Sequence, residues 1–436
     1  MAVVRKRIRS FICVIFSINA LFACGNTHKP RLSLIASVYD GDEFINGFLQ
    51  DIVQLQNFHT YELLLVNANS PGNEESVIRQ FEKEYENIRY ITLETDPGLY
   101  GVWNYAIQIA KASYITNTNI DDRRNHHFLE KQIAVLNREP AIDLVYSDYM
   151  VTYVPNENFE DNTFQWRSYQ PEFDRSQMNK CIAGPGPMWR VSLHKKYGYF
   201  REDFYGAGDW EFWNRIVLQG AQFKKIEGCS ILYYFNPVGL STSEDHEKSA
   251  ARLREEAFIN GAYRFMWDSA EEDSPLLLIH LPIQERPEYF FELLDTLYIQ
   301  LSGATRYRFL ISCDIADISM NNAAVRKRLS WYPNLVVRFN DRQVSTTLFT
   351  DDLADSFFDL VLLLNSDSKG LAKSFDKKVV NQMMLSYPDL DGLFLYYTDE
   401  AGDQGSTYQV IGKVYFDRML QEEPLRAVSI QQKIIS

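Results

Sequence analysis

Three aspartates in this chain could hold a cation or accept a proton. Asp121 and Asp122 are adjacent in NIDDRRNHHFLEK, directly after the apolar-rich run SYITNT, and Asp209 opens a helical pattern in GAGDWEFW. Adjacent carboxylates on a loop that follows a strand can hold a divalent cation against a diphosphate. An acidic pair at a strand end is also common as a solvated turn or a helix N-cap. The fold that positions these residues must decide between the two interpretations.

The segments around the aspartates alternate between apolar runs and helical patterns. From Arg31 onward, LSLIASV, YELLLVN, IRYIT and SYITNTN predict strands, and amphipathic helices are predicted between them. Alternating strands and helices imply parallel crossovers and an open α/β sheet. Ligands of such sheets bind at the carboxyl ends of the strands. Asp40, Asn67, Asp121 and Asp122 all fall at predicted strand ends.

The size and charge of the chain limit its organisation and its partners. A length of 436 residues is enough for two or three domains. The predicted division is a segment at 1–30, an α/β domain at 31–272 and a second, partial α/β domain at 273–436. A net charge of −14 argues against nucleic acid as a partner. The five cysteines form no CxxC pair and no zinc-ligand spacing, which also argues against a disulfide framework.

The N-terminus predicts membrane association. MAVVRKRIRS is basic, FICVIFSINALFA is apolar, and Cys24 follows a small residue. Together they predict a signal peptide, or a lipoprotein signal with Cys24 as the lipidated residue. The apolar run is short for a transmembrane helix. A misassigned start codon is the alternative, and the protein would lie at the cytoplasmic face if the segment is not an export signal.

Five stretches, in their order and spacing, resemble the inverting glycosyltransferases of the family 2 type, which have the GT-A fold. They are LSLIASVYD, VNANSPGNE, DPGLYGVWNYAI, NIDDRR and GDWEFWNR, and they cover about residues 31–245. The resemblance implies a metal-dependent enzyme. Such an enzyme would move a sugar from a nucleoside-diphosphate sugar to a glycan or lipid-linked acceptor with inversion.

The resemblance assigns the acidic pair to a metal and Asp209 to proton transfer. Asp121 and Asp122 would hold Mg²⁺ or Mn²⁺ against the diphosphate, whose charge grows as the anomeric bond breaks. Asn119 stands where relatives often place the first acid. Asp209 would take the proton from the acceptor hydroxyl. Alternatively, Asp209 only stabilises its own helix through the dipole.

Two departures from the family pattern surround the expected base. Gly208 replaces the Glu that usually precedes the catalytic acid. Glu211 is the fallback base, although helical spacing turns it away from the direction of Asp209. His246, in STSEDHEK, stands where some related enzymes have a further metal ligand.

The resemblance also implies contacts to the donor and the acceptor. The expected nucleotide-sugar contacts are Ser37, Tyr39, Asn67, Asn69, Asn104, Asp121 and Asp148, with Tyr146 on the same strand as Asp148. The expected acceptor contacts are Gly186, Trp189 and Trp210. Asx-turn chemistry at a strand end is the alternative for the asparagines, and a core position is the alternative for Trp189.

Residues 273–436 predict a second, incomplete copy of the same plan. LLLIHLPIQERPEYF, RFLISCD and FDLVLLLNSDSKG match the first strands, and Asp367 falls where the metal-binding acid would lie. Ser368 replaces the second acid, and no counterpart of GDWEFW follows. The copy is therefore predicted to be catalytically silent and to serve packing, acceptor binding or dimerisation. A truncated reading frame is the competing explanation.

Two further functions compete with glycosyl transfer. One is a non-catalytic carbohydrate- or nucleotide-binding lipoprotein derived from transferase domains. The predicted export signal favours it, because nucleotide sugars are made in the cytoplasm. The other is a nucleotidyltransferase, which also pairs acids with a metal and a diphosphate. The acids at 121, 122 and 209 favour the transferase, and GDWEFW has no obvious role in a nucleotidyltransferase.

Overall fold

A computed structural model describes most of the first 267 residues and shorter segments after them. The described residues are 29–162, 166–243, 245–267, 277–282, 287–300, 307–314, 323–333, 335–340, 360–364, 393–397 and 407–412. The predicted N-terminal signal with Cys24, and the pair Asp367 and Ser368, lie outside them. None of the helices in these ranges is both long enough and apolar enough to cross a bilayer.

The N-terminal region is built on a mostly parallel sheet. Its strands are β1 (Leu32–Val38), β2 (Tyr61–Asn67), β3 (Ile88–Thr92), β4 (Tyr114–Asn117), β5 (Arg123–Arg124), β6 (Leu144–Thr152), β7 (Trp166–Ser168), β8 (Met188–Arg190) and β9 (Phe223–Tyr234). They lie in the order β3-β2-β1-β4-β8-β6-β9-β5, and β7 pairs with β6. Strand β8 is antiparallel to both of its neighbours.

Helices cover both faces of this sheet. They are α1 (Ile45–Ile52), α2 (Glu74–Glu84), α3 (Gly98–Ile109), α4 (Phe128–Arg138), α5 (Ser192–Tyr197), α6 (Gly208–Leu218) and α7 (His246–Trp267). All seven residues of β2 are buried, as in a parallel strand packed on both faces. Helix α1 buries Ile45, Phe48, Leu49 and Ile52 at helical spacing. The predicted GT-A-type α/β sheet is confirmed.

The C-terminal strands form a second sheet. Its elements are β10 (Leu277–Pro282), α8 (Pro287–Gln300), β11 (Tyr307–Asp314), α9 (Ala323–Leu329), β12 (Leu335–Asn340), β13 (Leu360–Leu364), β14 (Leu393–Tyr397) and β15 (Thr407–Gly412). The order is β12-β11-β10-β13-β15-β14, with β15 antiparallel to both neighbours. This order repeats β3-β2-β1-β4-β8-β6 with the same strand directions. The repeat supports the proposal of a second copy of the same plan.

Helix α7 joins the two regions. It packs on α6 and on α8, and Phe258, Tyr263 and Tyr298 belong to one apolar core shared with the N-terminal sheet. The backbones of α7 and α8 approach closely at Gly261, where an added Cβ would lie 1.8 Å from the Tyr298 carbonyl oxygen. Glycine at 261 is therefore required for this packing.

Candidate active site

The first turn of α6 holds Asp209 in a fixed orientation. Its Oδ1 accepts hydrogen bonds from the backbone N–H of Trp210 (2.8 Å) and from the Tyr100 hydroxyl (3.2 Å). Its Oδ2 accepts a weak hydrogen bond from the Cys181 thiol, whose sulfur lies at 3.8 Å. Burial raises the pKa of Asp209 above the ordinary value for a carboxyl, although the two hydrogen bonds act in the opposite direction. A carboxylate with a raised pKa and one oxygen free of strong donors is suited to general-base chemistry.

Glu255 of α7 holds the loop that leads into α6. Its carboxylate accepts hydrogen bonds from the backbone N–H groups of Tyr205, of Gly206 (2.9 Å) and of Ala207 (2.8 Å). These three residues directly precede the turn that carries Asp209. Burial raises the pKa of Glu255, and the three hydrogen bonds lower it. The position of Asp209 therefore depends on a helix that also contacts the C-terminal region.

Asp122 is enclosed in the protein. Its Oδ1 accepts from the Tyr234 backbone N–H at 3.0 Å, and its Oδ2 accepts from the Asn119 side-chain amide at 3.0 Å. Burial, and the neighbouring charge of Asp121, hold the pKa of Asp122 well above its usual range. Because both oxygens are engaged and only 2% of the residue is exposed, Asp122 orients the loop. Direct metal binding by Asp122 stays a prediction, since each of these oxygens keeps a second lone pair.

Asp121 is partly exposed at the same strand end. Its Oδ2 accepts from the Asn236 side-chain amide at 3.1 Å, and burial raises the pKa of the carboxyl. Among the described residues, no group of three or more His, Cys, Asp or Glu is placed to hold a metal ion. Protein-bound Mg²⁺ commonly uses one or two carboxylates together with substrate phosphates. Asp121 fits that mode as a single protein ligand beside a diphosphate.

Tyr149 lies between the surroundings of the acidic pair and the loop next to Asp209. Burial and the charges of Asp122 and Asp121 raise the pKa of Tyr233. The Tyr233 ring lies 5.9 Å from the ring of Tyr149, edge to face. A Cβ at Gly184 would lie 3.2 Å from the Tyr149 ring, and Gly184 comes three positions after Cys181, the residue that contacts Asp209.

The basic residues of NIDDRRNHH are structural. Arg124 is buried, and its guanidinium donates to Thr118 Oγ1 and Thr116 Oγ1, both at 3.1 Å, and to the Asn117 carbonyl. Arg123 donates to the Ile120 carbonyl at 3.1 Å. Arg124 therefore ties the acidic loop to the end of β4, and Arg123 bonds the backbone of the loop itself. Much of the charge in this segment holds the loop together.

Three residues that were predicted to contact the nucleotide sugar lie at or beyond the ends of strands. Ser37 is half-buried near the end of β1, and Tyr39 and Asn69 are exposed beyond β1 and β2. Asn69 has a left-handed φ of 57°, which asparagine tolerates better than most residues. Their nucleotide contacts stay predictions.

Two asparagines that were predicted to contact the nucleotide sugar lie inside the protein. Asn104 is 1% exposed, donates to the Phe200 carbonyl (2.9 Å) and Glu202 (2.9 Å), and accepts from the Phe200 N–H (3.0 Å). Asn67 donates to the Tyr90 hydroxyl at 2.9 Å and accepts from the Ser70 N–H at 2.8 Å. Each amide is used by the protein itself. This corrects their predicted nucleotide roles in favour of structural ones.

Asp148 is also a structural residue. It is buried on β6, where its carboxylate accepts from Arg167 (2.6 Å), Lys225 (2.9 Å) and the Gln170 N–H (2.8 Å). These partners hold its pKa below the ordinary value despite burial. The neighbouring Tyr146 is fully buried and donates to the Pro171 carbonyl at 2.8 Å. The predicted donor-sugar contact of this strand is corrected accordingly.

The predicted acceptor residues are buried as well. Trp189 is fully buried on β8, its indole N–H donates to His194 Nε2 at 2.9 Å, and its ring packs on Trp213. The Trp210 ring stacks on Trp267, and its N–H donates to the Met178 carbonyl at 2.8 Å.

Gly186 has a φ of +74°, and a Cβ there would meet Ile231 at 2.4 Å. A ring without an open face cannot stack on a sugar, so the acceptor assignments of Trp189 and Trp210 are corrected. The buried Gly186 serves packing.

The alternative base and the extra metal ligand take other positions. Glu211 is fully buried, bonded to Arg215 at 3.0 Å and to the Tyr263 hydroxyl at 2.8 Å. It points away from Asp209, as helical spacing predicts. His246 is exposed at the first residue of α7.

An indentation of about 300 Å³, lined in part by Val217 and Gln222, lies at the opposite end of α6 from Asp209.

Four residues of this site were not predicted from the sequence. Tyr100, Glu255, Tyr234 and Asn236 contact the acids or their loops from distant positions in the chain, and Tyr100 lies 109 residues before Asp209. No motif spacing connects them to the aspartates. Only the paired strands and packed helices bring them together.

Comparisons with known proteins agree with this architecture. Residues 33–196 match the family model described as glycosyl transferase family 2. The match ends before Asp209, so the position of that residue rests on the structure. "Uncharacterized protein y4gI" of Sinorhizobium fredii is 23% identical over 409 residues, covering 85% of this chain and 42% of its own. The chain thus spans less than half the length of that relative.

Two further relatives are similar over other extents. "Uncharacterized glycosyltransferase MJ1057" of Methanocaldococcus jannaschii is 24% identical over 217 residues, which are 48% of this chain and 72% of that protein. The crystal structure of S. aureus TarS 1-349 in complex with UDP-GlcNAc superposes with a TM-score of 0.44 at 13% identity. That superposition covers 86% of this chain and 99% of the other.

Proposed function

We propose that this chain, whose residues 33–196 form a family 2 glycosyltransferase domain, transfers a glycosyl group from a nucleoside-diphosphate sugar to an acceptor hydroxyl with inversion. The family match and the glycosyltransferase name of the MJ1057 relative support the reaction class. The acceptor would be a glycan or a lipid-linked acceptor.

The observation that carries the proposal is the setting of Asp209. Its carboxylate is held at a helix start by two donors on Oδ1, and burial raises its pKa. The N-terminal dipole of α6 favours the ionised form, which is the form that acts as a base.

The proposed reaction moves one proton and exchanges one bond at the anomeric carbon. The acceptor oxygen attacks that carbon, and its proton passes to Oδ2 of Asp209. The bond between the carbon and the diphosphate oxygen breaks, and the diphosphate leaves with the electron pair. Attack opposite to the leaving group inverts the anomeric centre. Asp122 keeps the loop of Asp121 in place throughout, since its own oxygens stay bonded to Tyr234 and Asn119.

The diphosphate end is assigned to Asp121. Its carboxylate would hold a Mg²⁺ or Mn²⁺ ion together with the donor, and such an ion, when bound, neutralises charge on the leaving diphosphate. The chain's own contribution is the orientation of that carboxylate by Asn236.

The test is donor turnover by the purified full chain. UDP- and GDP-linked sugars are incubated with glycan acceptors, with Mn²⁺ or with a chelator, and the released nucleoside diphosphate is measured. We expect turnover with at least one donor and its loss in Asp209→Asn. Binding of a donor without any turnover would instead favour the non-catalytic carbohydrate- or nucleotide-binding lipoprotein.

A further inference from the structure

Tyr100 is a buried tyrosine whose hydroxyl reaches Asp209. It lies in the first turn of α3 and is 1% exposed, with its ring edge-on to Trp103 at 5.5 Å. A buried hydroxyl needs a hydrogen-bond partner, and this one donates to Asp209 Oδ1 at 3.2 Å. The aromatic packing fixes the ring, so the direction of the O–H group is fixed as well.

Gly208 makes room for this ring. A Cβ at position 208 would lie 2.7 Å from Tyr100 Cε2 and 2.8 Å from Cδ2. Gly208 is not among the glycines with a left-handed φ, so its backbone conformation does not require glycine. The missing side chain is instead what lets the Tyr100 ring lie against the start of α6.

We propose that Tyr100 is a positioning residue for Asp209, and that Gly208 is the residue that admits it. The Tyr100 hydroxyl and the backbone N–H of Trp210 both donate to Oδ1 of Asp209. Oδ2 of Asp209 is therefore the oxygen that meets the acceptor hydroxyl. The inference rests on the proposed function, because it names how the base of that reaction is oriented.

The ionisable groups around Asp209 leave Tyr100 as its main side-chain donor. Burial and the charge of Asp209 hold the pKa of Tyr100 well above its usual range, so its hydroxyl stays protonated. The thiol of Cys181, from the loop before β8, is also kept protonated, because burial raises its pKa. Glu255 of α7 contributes a negative charge to the same surroundings. Removing the Tyr100 hydroxyl therefore removes a group that favours the ionised form of Asp209.

The test is Tyr100→Phe, which keeps the ring and removes the donor. Selective ¹³C labelling of Asp carboxyls, with Asp209→Asn to assign the signal, reports the titration of Asp209 directly. We expect the Asp209 titration in Tyr100→Phe to move to higher pH by about one unit, since a hydrogen bond to a charged group is lost. The acidic limb of kcat/KM should move with it. At pH values below that limb the variant should be about tenfold slower, with the KM for the donor unchanged.

Two further variants complete the test. Tyr105→Phe alters an exposed tyrosine on the same helix and should leave both profiles unchanged. Gly208→Ala should move the Asp209 titration in the same direction as Tyr100→Phe, because the added methyl displaces the ring. If Tyr100→Phe is folded and Asp209 titrates as in the wild type, the positioning role is refuted. If the wild type turns over no donor, the proposed function fails, while the titration still decides the role of Tyr100.

Discussion

The N-terminal and C-terminal sheets share a strand order but differ in the elements beyond it. The order β3-β2-β1-β4-β8-β6 recurs as β12-β11-β10-β13-β15-β14. The N-terminal sheet continues into β9 and β5, and the end of β9 with the residues after it binds Asp121 and Asp122. The described part of the C-terminal sheet ends at β14. The shared strands are thus a common scaffold, and the residues of the proposed reaction lie on or beside β9, β5 and α6.

The variant Asp209→Asn is the strongest test of this difference between the two sheets. An amide of the same shape keeps the first turn of α6 but cannot accept the acceptor proton, so kcat should fall about 10³-fold. Initial rates of nucleoside diphosphate release would measure the loss, with the thermal unfolding midpoint as a control for folding. Activity within about threefold of the wild type would remove the distinction between the two regions.

The next largest effect is expected on the stability of the junction between the two regions. Arg201 is 1% exposed and bonded to Asp203 at 2.9 Å and Asp295 at 3.5 Å, and it lies over the Phe258 ring at 4.7 Å. Arg201→Met should lower the free energy of unfolding by about 3 kcal/mol, because two carboxylates lose a buried cation. Urea denaturation would measure it.

A matched variant sharpens this measurement. Arg328 contacts the same Asp203 and Asp295 but is 32% exposed. Arg328→Met should therefore cost about 1 kcal/mol or less, as partly exposed ion pairs do. Equal losses in the two variants would show that Arg201 is not the centre of the junction.

A smaller effect, on the affinity for the nucleotide, is expected at Asp121, the proposed ligand of the diphosphate-bound metal. Asp121→Asn removes the carboxylate charge but keeps a side chain that can bond Asn236. Donor affinity in the presence of Mn²⁺ should fall about 10- to 100-fold. Calorimetric titration with UDP or GDP, with Mn²⁺ or with a chelator, would measure it. Equal Mn²⁺ dependence in the variant and the wild type would move the metal site away from Asp121.

The smallest effect is expected in the second region. Asp367 lies where a second copy would place its metal-binding acid, and the sequence after it has no counterpart of GDWEFW. Asp367→Asn should leave turnover unchanged in the same assay. A large loss would contradict the silent role proposed for residues 273–436.

The elements of the scaffold could be predicted because their patterns are local. The runs of β1, β2 and β4, the amphipathic pattern of α1 and the acidic start of α6 each identify their element without long-range information. Strand β9 was not predicted, since its apolar run ILYY is confined to the end of FKKIEGCSILYY and the preceding residues show no regular alternation. Its pairing with β6 includes irregularities of register near Asp148.

The places of the candidate residues in the fold were predicted where the local pattern is sufficient. Asp209 and Asp121 lie at a helix start and a strand end, as their motifs indicate. Asn104 and Trp189 carry functional groups that could bind a ligand, yet the fold uses those groups internally. Sequence cannot distinguish these cases, because an amide or an indole serves a core hydrogen bond as well as a ligand. The partner atoms come from elements far apart in the chain.

The central claim is that the raised pKa of Asp209 governs proton transfer in the N-terminal region. The most direct test is the pH dependence of kcat/KM for the wild type beside the residual activity of Asp209→Asn. A raised pKa means that the carboxyl becomes protonated, and the base is lost, as pH falls through a value above the ordinary range near 4. The account predicts such an acidic limb in the wild type and its absence in the variant. An identical limb in both proteins would contradict it.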